Sequence, residues 1–342
     1  MKIVIIASDI HTGGGKVVLN DLLDAAKNMT SISFHILIDA RFNTINFKSN
    51  NISFTKILKY QRIFYVNKII SNLVNTEDVV LNISGLPFLK KFPCSKVQYI
   101  MNRYFIDNYS TSGLPLLVRL RLSFQKLAFS YYLKYTDYIF VQNSVMRDLL
   151  LKLGFRENMI EVIPYKNVDT IISKGNKLQE TFIYVASGEA HKNHLNLVKA
   201  WAILAKDNIY PTLLLTINED DNFLYNKILI ESQKYNLNIT IHSKLPRNEL
   251  LSYYERVSAL IYPSFFECFG IPLLEAKNHN LPVIAAELDY VRDFIDPVET
   301  FDPNSPKSIA RAVRRFLCRE EKLIPVLSAE EFAEELVLYA NK

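Results

Sequence analysis

The sequence predicts an α/β fold of two domains, each built around a parallel β-sheet and facing the other across a cleft. The chain has 342 residues, a length typical of two domains. Short apolar runs alternate with longer amphipathic segments, an order that favours parallel sheets with right-handed crossovers. The alternation restarts near residue 181, after an irregular polar stretch. Two such domains would bind a ligand at the carboxyl ends of their strands.

The composition excludes fibrous, disordered and integral membrane proteins. Hydrophobic residues make up 49% of the chain and charged residues 22%, enough apolar material for a full core. No apolar run reaches the roughly 18 residues of a membrane-spanning helix, and residues 1–9 are predicted to begin a buried strand rather than a signal peptide. The three cysteines form no CxxC pair, so we expect a cytoplasmic location.

The net charge of +5 is unevenly distributed along the chain. Residues 1–170 contain 21 Lys and Arg against 12 Asp and Glu, a net charge of +9, whereas residues 171–342 contain 19 against 23, a net charge of −4. We therefore expect the N-terminal half to face an anionic surface or a polyanion. A phospholipid headgroup layer fits this expectation. Nucleic acid is not expected as a partner, because no recognition signature accompanies the basic residues.

Strands are predicted where short apolar runs show little polar alternation, as in strands covered on both faces. In the first half these are residues 2–7, 33–39, 78–84, 96–101, 138–142 and 160–163. In the second half they are residues 181–186, 212–217, 238–241, 259–262 and 282–285. The stretch 165–180 is interpreted as a linker, which gives an N-terminal domain at 1–168 and a C-terminal domain at 169–325. A capping-box pattern at Ser328 and Glu331 predicts a closing helix within 326–342.

Three glycines, Gly13, Gly14 and Gly15, separate the first predicted strand from a helix predicted over residues 17–26. Glycine lets a backbone approach a ligand closely, and a helix N-terminus offers unpaired N–H groups to an anion. The spacing matches neither the GxGxxG fingerprint nor the P-loop. From the residues alone, a ligand-facing loop and a simple tight turn are equally open.

A second strand-to-helix loop, residues 187–193, carries Lys192 just before a helix predicted to begin near Asn193. A lysine there adds a mobile positive charge to the field of the helix N-terminus, which suits a diphosphate. A solvated surface lysine is the alternative. His191 and His194 lie three residues apart, but no cysteine or paired carboxylate nearby completes a zinc site, so no metal is predicted here.

The most informative segment, residues 259–287, contains two carboxylates, Glu267 and Glu275, eight residues apart. Glu267 follows a predicted buried strand, and Glu275 falls on a helix predicted to start near Gly270. A separation of about 12 Å along a helical path exceeds the roughly 5–9.5 Å between glycosidase carboxylates. It suits carboxylates that bind hydroxyls at opposite ends of an extended ligand, such as a sugar and a ribose. A solvated loop acid and a helix-surface acid are the alternative.

The context of these two carboxylates resembles the retaining GT-B glycosyltransferases of family 4, the bacterial surface-polysaccharide type. The resemblance rests on Glu267 and Glu275, on Phe269-Gly270 and Pro272 between them, on Pro282-Val283-Ile284-Ala285 after them, and on the loop ending in Lys192-Asn193. It covers most of residues 181–317, with scattered agreement before them. It implies two Rossmann-like domains in the GT-B arrangement and retaining transfer of a sugar from a UDP- or GDP-linked donor. No DxD motif stands at a suitable strand end, so neither a metal nor a cofactor is expected.

The resemblance also implies roles for the donor-side residues. Glu267 would hold hydroxyls of the transferred sugar and stabilise positive charge at its ring, and Lys192 would neutralise the diphosphate leaving group. These two are the predicted catalytic residues. The family often has an arginine shortly before the lysine, but no basic residue occupies that region here. Leaving-group stabilisation would therefore depend on Lys192, with His191 or Arg247 as possible helpers.

Five further residues are implied to bind the donor. The amides near Phe269 and Gly270 would contact its sugar or phosphates, and Glu275 would bind the ribose of the nucleotide. Gly14 and Gly15 would let the N-terminal domain close on the donor.

The acceptor side is less recognisable. Where the family often carries a histidine, this chain has Asn102, Arg103 and Asp107, which are the candidate acceptor-binding residues. No residue is a clear general base, so the departing diphosphate is expected to assist deprotonation of the acceptor hydroxyl. The expected acceptor is a glycan, in particular a lipid-linked glycan, as for many enzymes of this family.

A basic amphipathic stretch lies between residues 113 and 136, which contain four basic residues and no acidic one. On a helical wheel its polar face consists of Arg119, Ser123, Lys126, Ser130 and Lys134. Its apolar face consists of Leu117, Leu120, Phe124, Leu127 and Tyr131. Phe88, Leu89 and Phe92, beside Lys90 and Lys91, are expected to add to this surface. Such a stretch favours peripheral contact with the anionic inner face of the plasma membrane; a packed helix with a solvated basic rim is the alternative.

Two other functions are compatible with the sequence. One is a different GT-B activity, such as nucleotide-sugar epimerisation, and the other is a non-catalytic module that binds sugar nucleotides. Donor turnover without an acceptor would indicate the first, and donor binding without any transfer would indicate the second.

Overall fold

Two parallel β-sheets, one in each half of the chain, organise the computed structural model. It describes residues 1–47, 49–62, 64–107, 116–165, 176–217, 222–243 and 245–319. The predicted boundary between residues 168 and 169 and the predicted closing helix at 326–342 lie outside these described residues.

The N-terminal domain contains seven parallel strands and four α-helices among the described residues. The strands are β1 (Lys2–Ala7), β2 (Ser33–Asp39), β3 (Ile52–Ile57), β4 (Val79–Asn82), β5 (Ser95–Tyr99), β6 (Tyr138–Val141) and β7 (Ile160–Val162). The helices are α1 (Gly13–Asn28), α2 (Phe64–Leu73), α3 (Leu116–Tyr132) and α4 (Ser144–Lys152). The strand order is β3-β2-β1-β4-β5-β6-β7.

Helices cover both faces of the central strands of this sheet. In β1, Ile5 packs with Leu19 and Leu23 of α1, whereas Val4, on the opposite face, packs with Ile70 of α2. Successive side chains of a strand point to opposite faces. Burial on both faces therefore explains why β1 reads as a continuous apolar run.

The C-terminal domain contains six parallel strands in the order β10-β9-β8-β11-β12-β13. The strands are β8 (Thr181–Tyr184), β9 (Thr212–Leu215), β10 (Ile239–Ile241), β11 (Ala259–Tyr262), β12 (Val283–Ala286) and β13 (Glu299–Phe301). The described helices are α5 (His194–Lys206), α6 (Asn222–Tyr235), α7 (Arg247–Arg256), α8 (Ile271–Asn278), α9 (Asp289–Arg292) and α10 (Pro306–Phe316). Trp201 lies in the core, and its indole N–H donates to the carbonyl oxygen of Pro211 at 2.9 Å.

Two predictions about these elements were wrong. The strands β3 and β13 were not predicted; both are edge strands, and β3 has exposed or half-buried residues between its buried ends. The helix α1 begins at Gly13 rather than at residue 17, so the glycines form its first turn and not a loop before it. Gly13 has a φ of +66°, a conformation that glycine adopts readily.

The two domains meet through apolar packing and a few polar contacts. The ring of Phe269, from the C-terminal domain, is buried in the core cluster of the N-terminal domain with Ile10 and Val18. The hydroxyl of Ser144 donates to Asp293 Oδ2 at 2.7 Å. These contacts fix the carboxyl ends of the two sheets opposite each other.

Candidate active site

A cleft of about 630 Å³ lies between the domains. It is bordered by the segments that follow β1, β5, β8 and β11 at their carboxyl ends, as the sequence predicted. Its walls include Arg247 and all seven residues predicted on the donor side: Gly14, Gly15, Lys192, Glu267, Phe269, Gly270 and Glu275. Asn102 and Arg103, predicted on the acceptor side, line it as well.

Lys192 and Glu267 form a two-pronged ion pair at the centre of the C-terminal wall. The Lys192 ammonium donates to Oε1 and Oε2 of Glu267 at 2.7 and 2.8 Å. The side chains are 15% and 10% exposed, so the pair is well shielded from solvent. The hydroxyl of Tyr262, the last residue of β11, donates to Glu267 Oε1 at 3.1 Å. The carboxylate is thus held in one orientation with its charge neutralised.

The backbone around Lys192 is fixed by side chains from the neighbouring strands. The hydroxyl of Tyr184, at the end of β8, donates to the carbonyl oxygen of Lys192 at 2.8 Å. Asn193 adopts a left-handed conformation with a φ of +63°. Its side-chain amide donates to the carbonyl oxygens of Pro263 and Pro303 at 3.0 and 2.7 Å. Asparagine tolerates this conformation better than most residues, and α5 begins at the next residue.

Glu275 is the second acid of the cleft and is 1% exposed. Its Oε1 accepts a hydrogen bond from Arg247 Nη1 at 2.5 Å, and its Oε2 accepts one from the hydroxyl of Tyr254 at 2.9 Å. Arg247 and Tyr254 both belong to α7, whereas Glu275 belongs to α8. Each of the two acids therefore faces a cation in the same cleft.

Gly270 caps the N-terminus of α8 with a φ of +67°. A Cβ atom at this position would lie 2.9 Å from Leu273 Cδ1, so both backbone and space favour glycine. The side chain of Phe269 is buried in the core of the N-terminal domain. Gly14 lies opposite, and a Cβ there would lie 3.4 Å from Ile271 Cδ1. The start of α1 and the start of α8 thus approach each other across the cleft.

His191 is buried beside Lys192, and its ring stacks on Phe266 with the centroids 4.4 Å apart. Burial and, to a lesser extent, the positive charge of Lys192 lower the pKa of His191 to about 4. The ring is therefore neutral near pH 7 and supplies no positive charge to a diphosphate. Of the two possible helpers of Lys192 named from the sequence, the geometry favours Arg247.

The acceptor-side candidates lie in a short helical turn, Arg103–Phe105. The Asn102 side chain caps this turn by accepting a hydrogen bond from the Tyr104 N–H at 3.0 Å. The Arg103 guanidinium donates to Asp107 at 2.7 Å, and its backbone N–H donates to the Cys268 sulfur at 3.0 Å. Asp107 therefore contacts Arg103, and Arg103 lies next to the Glu267 loop.

Residues that the sequence interpretation did not assign to the site also shape it. Tyr262 and Tyr184 occupy the last positions of their strands, and Tyr254 lies about two helical turns beyond Arg247. The Asn143 amide donates to the carbonyl oxygens of Glu267 and Cys268 at 3.3 and 2.7 Å. A polar residue at the carboxyl end of a parallel strand is the signal that could have identified the two strand tyrosines.

The basic helix α3 exposes its apolar face. Leu117 is 81% exposed and Phe124 72%, and Leu120, Leu127 and Tyr131 are exposed as well. The alternative of an ordinary packed helix therefore does not describe this face. Phe88 and Phe92 are buried in the core instead, so the expectation that they add to the surface was wrong.

Two negative findings concern only the described part of the chain. No helix there is both long and apolar enough to span a membrane. No group of three His, Cys, Asp or Glu side chains there is placed to hold a metal ion.

The residues that match a known family include those of the C-terminal wall of this cleft. Residues 167–325 match the family model described as glycosyl transferases group 1. The similarity to this family therefore covers the C-terminal domain. The group 1 domain supplies Lys192, Arg247, Glu267 and Glu275, and the N-terminal domain closes the cleft from the other side.

Relatives and solved structures extend the comparison. Over 139 residues, 40% of this chain and 36% of the relative, the chain is 27% identical to O-antigen chain mannosyltransferase B of Escherichia coli. Over 149 residues, 43% of this chain and 41% of the relative, it is 25% identical to O-antigen chain mannosyltransferase RfbU of Salmonella typhimurium. The chain thus matches about two-fifths of the length of these curated relatives.

The structure of Anabaena Alr3699/HepE in complex with UDP-glucose is similar over 93% of this chain and 90% of that chain, with a TM-score of 0.67 and 13% identity. This similarity concerns the fold, and the two facing parallel-sheet domains are the GT-B fold.

Proposed function

We propose that the chain is a retaining glycosyltransferase that moves a sugar from a nucleotide-diphosphate donor to a glycan acceptor in polysaccharide synthesis. The observation that carries the proposal is the pairing of Lys192 with Glu267 and of Arg247 with Glu275 in one interdomain cleft. Two carboxylates can bind hydroxyls, and two cations can bind the diphosphate between them. The relatives named as O-antigen mannosyltransferases and the neighbour bound to UDP-glucose support the same substrate classes.

Binding of the donor would exchange partners within the two ion pairs. The Lys192 ammonium would leave Glu267 for the diphosphate, and the freed carboxylate would accept hydrogen bonds from sugar hydroxyls. Glu275 would hold the ribose while Arg247 neutralises phosphate. The built-in cations remove the need for a metal, so we propose metal-independent activity. Loss of activity with EDTA and recovery with Mn²⁺ would contradict this part.

The reaction would break the bond between the anomeric carbon and the diphosphate oxygen. The acceptor oxygen would bond to the same carbon on the same face, and its proton would pass to the departing diphosphate. Glu267 would stabilise the positive charge that develops on the sugar ring, because its own negative charge is held in a site shielded from water. NMR of the product should therefore show the anomeric configuration of the donor.

Donor binding tests the proposal directly. A ligand that binds only the folded state, present at a concentration of 100 times its dissociation constant, stabilises that state by about 2.7 kcal/mol. A thermal shift screen of UDP- and GDP-sugars should therefore identify one donor. Glu275→Ala should abolish the shift. Glu249→Ala, which removes an exposed acid from the first turn of α7, is the matched control. A wild-type protein that responds to no nucleotide sugar would refute the proposal.

Turnover tests the catalytic roles. Glu267→Gln and Lys192→Met should each lower transfer by more than tenfold, because each removes a charge that faces the reacting atoms. Near-wild-type transfer by both variants would contradict the assignment. Donor hydrolysis or epimerisation without any transfer to an acceptor would point to another GT-B activity instead.

The exposed face of α3 supports a lipid-linked acceptor and peripheral contact with an anionic membrane. An exposed apolar stripe flanked by Arg119 and Lys134 suits a helix lying in a headgroup layer. The chain should float with phosphatidylglycerol vesicles at low salt, and Phe124→Ser should weaken flotation. Phe223→Ser, which removes a comparably exposed phenylalanine from α6, should not. Absence of flotation by the wild type would remove the membrane part of the proposal.

A further inference from the structure

The segment 266–269, which carries the acid Glu267, belongs to the C-terminal domain but is held at both ends by the N-terminal domain. At its start, the ring of Phe266 packs edge-on against the ring of Tyr104, with the centroids 5.6 Å apart. At its end, the ring of Phe269 lies in the core of the N-terminal domain. Both anchors are mainly hydrophobic, and hydrophobic contacts are non-directional. The direction of the peptide groups between the two anchors therefore depends on hydrogen bonds.

Asn143, from the N-terminal domain, supplies hydrogen bonds to these peptide groups. Its side-chain amide donates to the carbonyl oxygen of Cys268 at 2.7 Å and to that of Glu267 at 3.3 Å. The Arg103 N–H, also from the N-terminal domain, donates to the Cys268 sulfur at 3.0 Å. Asn143 is 1% exposed, so its amide is shielded from water and the hydrogen bonds are strengthened by their surroundings.

The same side chain also caps α4. Asn143 Oδ1 accepts a hydrogen bond from the Met146 N–H at 2.9 Å, and α4 begins at Ser144. An asparagine has an acceptor and two donors in one side chain, so it can cap a helix and bind a second domain at once. Serine and aspartate are also good helix caps. An ionised aspartate, however, has no donor, and a serine hydroxyl is shorter by one atom.

The Glu267 carboxylate, in contrast, contacts its own domain. It is paired with Lys192 and accepts a hydrogen bond from the Tyr262 hydroxyl, whereas its carbonyl oxygen is bonded to Asn143. One domain therefore holds the backbone of this acid, and the other holds its side chain. A displacement of about 1 Å near the reacting atoms can lower a rate by about a hundredfold, so the backbone contacts bear on the chemistry.

We propose that Asn143 is a positioning residue that orients Glu267 from the opposite domain, through the carbonyl oxygens of Glu267 and Cys268. The inference rests on the proposed function, in which the Glu267 carboxylate contacts the transferred sugar. Without the Asn143 donor, the domains would still meet through the rings of Phe266 and Phe269. The Glu267 carboxylate, however, would no longer be held in the direction of the sugar.

A second contact of α4 with the C-terminal domain provides a matched control. The hydroxyl of Ser144, the residue after Asn143, donates to Asp293 Oδ1 and Oδ2 at 2.9 and 2.7 Å. Neither Ser144 nor Asp293 lines the cleft. Ser144→Ala therefore weakens the contact between the domains at the start of α4 without removing a contact of the Glu267 segment.

The test compares a nucleotide sugar with the nucleoside diphosphate that it contains. Calorimetric titrations use the UDP- or GDP-sugar that stabilises the wild type most and the corresponding UDP or GDP. The measured quantity is the dissociation constant of the nucleotide sugar divided by that of the nucleoside diphosphate. This ratio isolates the contribution of the sugar to binding.

Asn143→Asp and Asn143→Ser both retain a helix cap but lose the donor to the Glu267 segment. Each should raise the ratio by about tenfold, which corresponds to one hydrogen bond to a charged group. The dissociation constant of the nucleoside diphosphate should stay unchanged, because the sugar is absent from that ligand. Glu267→Gln should raise the ratio to a similar extent, and Ser144→Ala should leave it unchanged.

The outcomes distinguish the inference from the proposed function. An unchanged ratio in both Asn143 variants, together with a raised ratio in Glu267→Gln, would overturn the inference alone. Loss of nucleoside diphosphate binding in both Asn143 variants would overturn it as well, because the residue would then support the fold as a whole. A raised ratio in Ser144→Ala would assign the effect to the domain contact in general and not to Asn143. An unchanged ratio in Glu267→Gln would contradict the proposed role of Glu267 itself, and the inference with it.

Discussion

The ion pair between Lys192 and Glu267 allows a quantitative prediction. At an effective dielectric constant of about 20, two unit charges 2.7 Å apart attract each other by about 6 kcal/mol. Removal of both charges from water offsets much of this energy. Lys192→Met leaves a shielded carboxylate whose described hydrogen-bond donor is Tyr262, so it should lower the free energy of unfolding by about 3 kcal/mol. Glu267→Gln should have a similar effect, because it leaves a shielded ammonium.

A double-mutant cycle measures the coupling. The variant with both substitutions should lose less stability than the sum of the two single losses, with a coupling free energy of about 2–3 kcal/mol. Urea denaturation of the four proteins at pH 7 and low salt gives this quantity. The control cycle uses Arg292→Met and Glu287→Gln, a pair with comparable geometry but side chains 41% and 49% exposed. Its coupling should be below about 1 kcal/mol.

Additivity at Lys192 and Glu267 would refute the reasoning, because it would mean that solvent already screens the pair. Equal coupling in both cycles would refute it too, since burial would then not be the cause. A strong coupling also carries a functional corollary. The donor must supply interactions that compensate for separating the pair, so truncated donors that lack the diphosphate should bind poorly.

Three further predictions concern the same domain. Gly270→Ala should lower the free energy of unfolding by about 2 kcal/mol or more. The control Gly154→Ala changes a residue with a φ of +87° but nothing within 4 Å of the added Cβ, so it should lower the free energy of unfolding by only about 1 kcal/mol. Equal losses of stability in urea denaturation would contradict a role for the contact with Leu273. Tyr254→Phe removes a buried hydroxyl that is hydrogen-bonded to Glu275 at 2.9 Å and should lower the free energy of unfolding by about 1–3 kcal/mol. The control Tyr253→Phe removes a hydroxyl that lies 3.4 Å from His242 and should have less than half that effect. Calorimetric nucleotide titrations should show weakened binding only for Tyr254→Phe. Burial lowers the pKa of His194 to about 3, so as the pH falls below about 6.5 the unfolded state binds a proton before the folded state does, and the free energy of unfolding decreases. His194→Leu should reduce the decrease in the free energy of unfolding between pH 6.5 and 5 by about 2 kcal/mol. Parallel pH profiles of stability for the two proteins would contradict this.

The fold was largely predictable because the central strands are covered on both faces. The predicted bounds of β1, β2 and β11 agree with the structure, because each strand is a mostly apolar run. The edge strands β3 and β13 were not identified: the first carries polar residues between its buried ends, and the second has only three residues. A strand with one covered face leaves a weaker periodic signal over so short a length.

The sequence predicted which residues share the cleft but not how they pair, and their roles in binding and catalysis stay predictions. Glu267, Glu275 and Lys192 were all identified, and all line the cleft. The contact between Arg247 and Glu275 depends on how α7 packs beside α8. The two residues are 28 positions apart in the sequence, so the contact is a tertiary one.

The position of Phe269 ties the movement of the domains to the chemistry of the site. Its ring fills a pocket in the core of the opposite domain, and Glu267 lies two residues before it. A motion that opens the cleft at this point would expose an aromatic side chain whose burial contributes about 1.5–3 kcal/mol. The same motion would pull on the loop that orients the Glu267 carboxylate. Under the proposed mechanism, release of the product and displacement of the Glu267 carboxylate would therefore occur together, and a smaller side chain at residue 269 would favour both.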